Sequence, residues 1–139
     1  MKKTNKPPPK FKQFVRDAVQ RHMKHMDIHH FRIGIIWEKE DKTNDEGNYE
    51  AHIDINRNYH EAQIHIYPLV EGRWKTHGDD WLNSLIAHEM AHILTNQLHY
   101  LCTAVYKNEG EVFDAKEQLT ERIARLSCKY DDMVQKKKV

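Results

Sequence analysis

Apolar residues recur at three- and four-residue steps through Phe11, Phe14, Val15, Ala18, Val19 and Met26, which predicts an amphipathic helix starting near Lys10. Residues 31–37 are β-branched and bounded by polar sequence, so they read as a strand. A charged stretch with Gly47 inside predicts a loop over 40–48. Residues 51–55 (AHIDI) and 62–66 (AQIHI) each alternate apolar with polar positions, the mark of a half-buried strand. Pro68 closes the second, and a loop is expected through Gly72 and Gly78. Asp79 or Asp80 then caps a helix running to about 98, and a last helix covers roughly 111–133, with Leu119, Ile123, Leu126 and Tyr130 on one stripe. The order is helix, three strands, helix, helix. It predicts one α+β domain with a three-stranded or slightly larger mixed sheet.

With 139 residues the chain fits a single core. The expected limits are a disordered, basic, proline-rich tail over 1–9, a domain over 10–134 and a basic tail over 135–139. Net charge is +1, so the whole molecule exerts no general pull on nucleic acid, and the terminal lysine runs read as solvated tails. Cys102 and Cys128 lie 26 positions apart, which excludes a disulfide framework and a four-cysteine metal site. Both are expected as small core residues of a reducing compartment. No apolar stretch follows the basic N-terminus, and the apolar region 81–106 holds histidines and a glutamate. A cytoplasmic monomer without membrane contact is expected.

The chemistry concentrates in His88-Glu89-Met90-Ala91-His92. Histidines at i and i+4 share one helix face about 6 Å apart along the axis, so both rings can converge on one zinc ion at about 2.0–2.1 Å. Glu89, one position round from His88, can accept a proton from a water activated by that ion. In a chain with 11 histidines the bare pattern arises by shuffling with odds of about 0.07, so context has to carry the assignment. Glu89 is the one Asp, Glu, Lys or Arg between 81 and 106, although nearly a third of the chain is charged. The helix is apolar almost all round, hence buried, and a buried carboxylate needs a cation, a partner or a proton.

A catalytic zinc takes a third protein ligand. In the metzincin pattern the glycine and third histidine would fall at Thr95 and Leu98, so that pattern fails. His99 lies about 10 Å further along the helix than His92, too far for the same ion. Glu117 and Glu121 remain. Glu117 is favoured as the ligand because it lies nearer the small, apolar side of its helix. Glu121 would then hold a ligating histidine or pair with Arg125, and the two roles could be exchanged.

His88-Glu89-Met90-Ala91-His92 followed by 117–124 (EQLTERIA) resembles the small gluzincin-type zincins. These include the minimal phage-type metallopeptidases and, more distantly, the ImmA/IrrE and SprT-like groups. The resemblance covers roughly 31–130. It implies a zincin-like domain with a short mixed sheet before the metal helix, Zn²⁺ on His88, His92 and Glu117, Glu89 as general base, and a protein or peptide substrate whose backbone can pair with the edge strand. The chain is close to minimal size and shows no second lobe. Two rival readings follow: a zinc-stabilised binding module without catalysis, and a DNA-associated protease of the SprT-like kind.

Elsewhere, His22, His25, His29 and His30 read mainly as a solvated helix end, His52 and His65 as exposed sheet residues, and Tyr100 and Tyr106 as packed tyrosines. Trp37, Trp74 and Trp81 read as core or sheet-face anchors.

Overall fold

A computed structural model describes residues 6–44, 47–105 and 108–138, with the side chains of 44, 97 and 100–105 left aside. Cys102, Tyr100 and Tyr106 therefore lie outside the described side chains. The chain forms α1 (Pro9–His25), β1 (Arg32–Trp37), a small hairpin of β2 (Thr43–Asn44) and β3 (Gly47–Asn48), β4 (Ala51–Asn56), β5 (Glu61–Ile66), α2 (Leu69–His77), α3 (Asp79–Val105) and α4 (Glu109–Lys137). The fold is α+β, as expected.

Proline in the first turn presets φ for α1, and its buried residues Phe11, Val15, Ala18, Val19 and His22 keep the helical spacing. The sheet has β5 at its centre, parallel to β1 and antiparallel to β4. One face carries Ile33, Ile35, Trp37, Ala51, Ile53, Ile55, Ala62, Ile64 and Ile66; it packs with α1 and with Leu82, Ile86, Met90 and Ile93 of α3. Alternation sends His52, Asp54, Gln63 and His65 to the other face.

A helix stands where a loop is expected. In α2, Val70 is buried and Trp74 packs on Phe11, ring centroids 5.4 Å apart. Exposed Gly72 and a single buried position, Val70, give the segment almost no helical period, which is why its sequence reads as a loop. Gly78, at φ +89°, supplies the left-handed turn between α2 and α3, where a side chain would be strained. All three tryptophans join the core.

The helices α3 and α4 pack along a seam of small residues: Ala87, Ala91 and Thr95 meet Thr120, Ala124 and Cys128. Thr95 and Thr120 hydroxyls lie 2.8 Å apart. This corrects the expected α4 stripe. The buried positions are Thr120, Ala124, Ser127 and Asp131, while Leu126 and Tyr130 are exposed. The tail limits shift as well, because Pro9 is already helical and α4 runs through 135–137.

A polar plug explains the buried half of the α4 stripe. His22, fully buried, reaches Asn83 of α3 (Nε2 to Oδ1, 2.9 Å) and Ser127 of α4 (Nδ1 to Oγ, 2.6 Å). An amide oxygen only accepts, so Nε2 carries the proton and the Ser127 hydroxyl donates to Nδ1. Asp131 closes the network on Arg21, His25 and Asn83. Burial pushes the His22 pKa down, in keeping with a neutral ring. His25 and His29 do not share a helix face, since α1 ends at His25. Among the described residues no helix is long and apolar enough to cross a membrane.

Candidate metal centre

The middle of α3 presents His88 and His92 one turn apart, facing α4. Their Nε2 atoms converge to 3.1 Å. Glu117 of α4 approaches both: Oε2 is 3.6 Å from His88 Nε2, and Oε1 is 3.8 Å from His92 Nε2. The small-residue seam allows this, because bulky side chains between the helices would hold the carboxylate out of reach. Ligands about 2.0–2.2 Å from a tetrahedral zinc stand roughly 3.4 Å from one another, and the three observed separations scatter around that value. One atom from each of the three residues fits inside a 4.8 Å group.

Glu121, one turn along α4, lies beside His88, with Oε1 2.5 Å from Nδ1. A carboxylate accepts, so His88 Nδ1 carries a proton, and in the neutral ring that leaves the Nε2 lone pair facing His92 and Glu117. This is the tautomer a metal ligand needs, fixed by the carboxylate behind it. Arg125 stands 3.8 Å from the other Glu121 oxygen, so the expected i, i+4 pair coexists with the histidine contact. The structure thus brings Glu117 to both Nε2 atoms and Glu121 to the back of one ring. His99 lies instead against Phe113, ring centroids 6.4 Å apart.

Glu89 is 6% exposed and makes no ion pair among the described residues. Burial raises its pKa from 4.5 to about 7; His88 pulls it back and Glu117 pushes it further up. The His92 pKa is lowered from 6.5 to about 4, first by burial, with Glu117 opposing and His88 adding to the shift. Two converging imidazoles, a carboxylate facing them and a second, buried carboxylate with no ion pair among the described residues form a donor set that suits a divalent transition metal.

Sequence reasoning missed Lys116, whose Nζ is 3.4 Å from Glu117 Oε1 and lies over the Phe113 ring. Its neighbour Glu117 was its only sequence signal. It also missed the cleft wall. A cleft of about 740 Å³ runs past His88 and Glu89, between residues 47–51 on one side and Glu121, Ala124, Arg125, Cys128 and Lys129 on the other, with Trp81 and Leu85 at its base. Strand β4 reaches it through Ala51 and is an edge of the sheet, paired among the described residues with β5 alone. No protein-family model, curated protein or solved structure matches the chain.

Proposed function

We propose that this chain is a zinc-dependent metallopeptidase that hydrolyses peptide bonds, with Zn²⁺ held by His88, His92 and Glu117. The observation that carries the reading is the convergence of those three side chains beside a buried Glu89 that makes no ion pair among the described residues. When bound, zinc supplies the Lewis acidity that makes water nucleophilic at neutral pH and polarises a carbonyl. Glu89 takes the proton of the attacking water and delivers it to the leaving amine, a task suited to a carboxyl whose pKa lies near neutrality. Glu121 keeps His88 in its Nδ1–H tautomer. Trp81, Leu85 and Ala124 make part of the cleft lining apolar.

A peptide substrate is favoured by the position of β4. An edge strand offers unpaired backbone N–H and C=O groups, and an extended peptide lying along it would fill the cleft that residues 47–51 border. The three ligands and Glu89 correspond to those of the small gluzincin-type zincins, which supports the same activity.

The test is cleavage of a fluorogenic library of extended peptides by zinc-loaded protein and by Glu89→Gln, with zinc content measured on both. Loss of about 10²–10⁴-fold in turnover with zinc retained is expected. Equal turnover by the variant would remove Glu89 as the base. Zinc binding without any turnover in the wild type would favour a binding module.

A further inference from the structure

The outward face of the sheet holds a second constellation that the centre on α3 does not use. His52 of β4 and His65 of β5 are directly opposed in register, and their rings stack at 4.2 Å with planes 8° apart. Both Nδ1 atoms are engaged from behind. Glu38 Oε1 lies 2.6 Å from His65 Nδ1, and the Tyr67 hydroxyl lies 3.1 Å from His52 Nδ1. Both Nε2 atoms face one carboxylate oxygen, Asp54 Oδ2, at 3.6 Å from His52 and 3.0 Å from His65. His65 Nε2 is buried and makes no hydrogen bond among the described residues, despite that short distance. The Glu38 carboxylate accepts a hydrogen bond from Nδ1–H, so the nitrogen facing Asp54 in neutral His65 is a bare lone pair.

We infer that His52, Asp54 and His65 form a second binding site for a zinc-class dication, clipping β4 to β5. Donor atoms within 4.8 Å of one another can be drawn onto one ion. The separations of 3.0 and 3.6 Å bracket the roughly 3.0–3.4 Å edges of octahedral and tetrahedral sites with bonds near 2.1 Å. Two imidazole donors select zinc, cobalt or nickel over magnesium or calcium, which demand oxygen. Glu38 and Tyr67 are positioning residues that orient the rings; the Glu38 carboxylate also raises the basicity of His65 Nε2, and the Tyr67 hydroxyl must accept from His52 Nδ1–H for that ring to ligate. An ion in the plane of one stacked ring lies off the plane of the other, so binding tilts the pair apart. The clip would stiffen the end of β4 where Ala51 and Tyr49 border the cleft, and the Tyr49 ring stands 6.5 Å from that of His52. A solvated cross-strand histidine pair does not require both Nδ1 atoms to be held and both Nε2 atoms to share one oxygen.

The experiment titrates chelator-treated, full-length protein with Zn²⁺ and with Co²⁺. Wild type should bind two equivalents, His88→Ala/His92→Ala one, and the same protein carrying His52→Gln and His65→Gln none. In the His88→Ala/His92→Ala background, Glu38→Gln should weaken the remaining site by about 10- to 100-fold. Zinc should there move the Nε2 resonances of His52 and His65. The inference is overturned if folded His88→Ala/His92→Ala protein binds no zinc at micromolar concentration, or if its binding survives His52→Gln/His65→Gln. Should the double alanine variant not fold, the wild-type stoichiometry must drop from two to one on His52→Gln/His65→Gln, and an unchanged value would refute the site. Failure of the α3 centre reads differently: wild type would then bind one equivalent, lost with His52 and His65 and indifferent to His88 and His92.

Discussion

Replacing Glu89 by glutamine should stabilise the metal-free protein while removing its proposed activity. Glu89 is buried and has no counter-ion among the described residues, so its charged form is disfavoured in the fold. Its pKa is raised from 4.5 to about 7. Below pH 4.5 the carboxyl is protonated both folded and unfolded, and the residue adds no pH dependence. Between 4.5 and 7 the unfolded chain ionises while the fold keeps the proton, so native stability falls as pH rises. At about 1.4 kcal/mol per pH unit, the full loss above pH 7 is about 3 kcal/mol. His92 acts with the opposite sign. Its folded pKa is lowered from 6.5 to about 4, so the stability tied to its neutral ring is present above 6.5 and lost as pH falls toward 4. In the wild type the two slopes largely offset each other between pH 4.5 and 6.5.

Glutamine removes only the Glu89 contribution, since Glu89 is not among the groups that shift His92. The assay is urea unfolding in chelator at pH 4.5, 5.5, 6.5 and 8. The advantage of Glu89→Gln over wild type should be near zero at pH 4.5 and grow to about 3 kcal/mol at pH 8. Taking the difference between the two proteins cancels the titrating groups that do not interact with Glu89. Zinc should shrink the advantage, because the cation then neutralises the carboxylate. A pH-independent difference, or a variant less stable than wild type at pH 8, would refute the assignment of Glu89 as an uncompensated buried acid.

The two glutamates of α4 should separate in metal binding: Glu117→Gln should abolish tight zinc binding at the α3 centre, whereas Glu121→Gln should weaken it by about 10- to 100-fold, read by calorimetry in a His52→Gln/His65→Gln background. Ala124→Leu should wedge the α3–α4 seam apart, costing about 1–3 kcal/mol in urea unfolding and lowering zinc affinity at least tenfold. Leu126→Ala, at a position 66% exposed, should leave that affinity unchanged. His22→Ala should cost roughly 3 kcal/mol in the same unfolding assay, because it opens a cavity and strips Ser127 and Asn83 of a shared partner.

The helix of the proposed centre is legible because two signals coincide there, the His-Glu-x-x-His spacing and the single Asp, Glu, Lys or Arg within a 26-residue stretch. The strands are legible because Ile53, Ile55, Ile64 and Ile66 alternate with polar residues. On α4 the same logic misleads. Its contact with α3 is made by Thr120, Ala124 and Ser127, and hydrophobic periodicity does not register small and hydroxylated residues as an inward face. The large apolar residues Leu126, Tyr130 and Met133 were left outside. Glu117 can be singled out from sequence only through its place beside the apolar side of its helix made by Phe113, Thr120 and Ala124. His52 and His65 look like independent polar positions until strand register places them opposite each other, and register depends on pairing across the sheet. Glu38 and Tyr67, which hold their rings, lie just beyond the ends of β1 and β5 and carry no local sign of that role.

The most direct test of the proposed centre is anomalous diffraction at the zinc edge from crystals grown with zinc. A peak is predicted between α3 and α4, about 2.0–2.2 Å from His88 Nε2, His92 Nε2 and an oxygen of Glu117. A zinc-soaked crystal with no density between those rings, or with an ion there that Glu117 does not touch, would contradict the account.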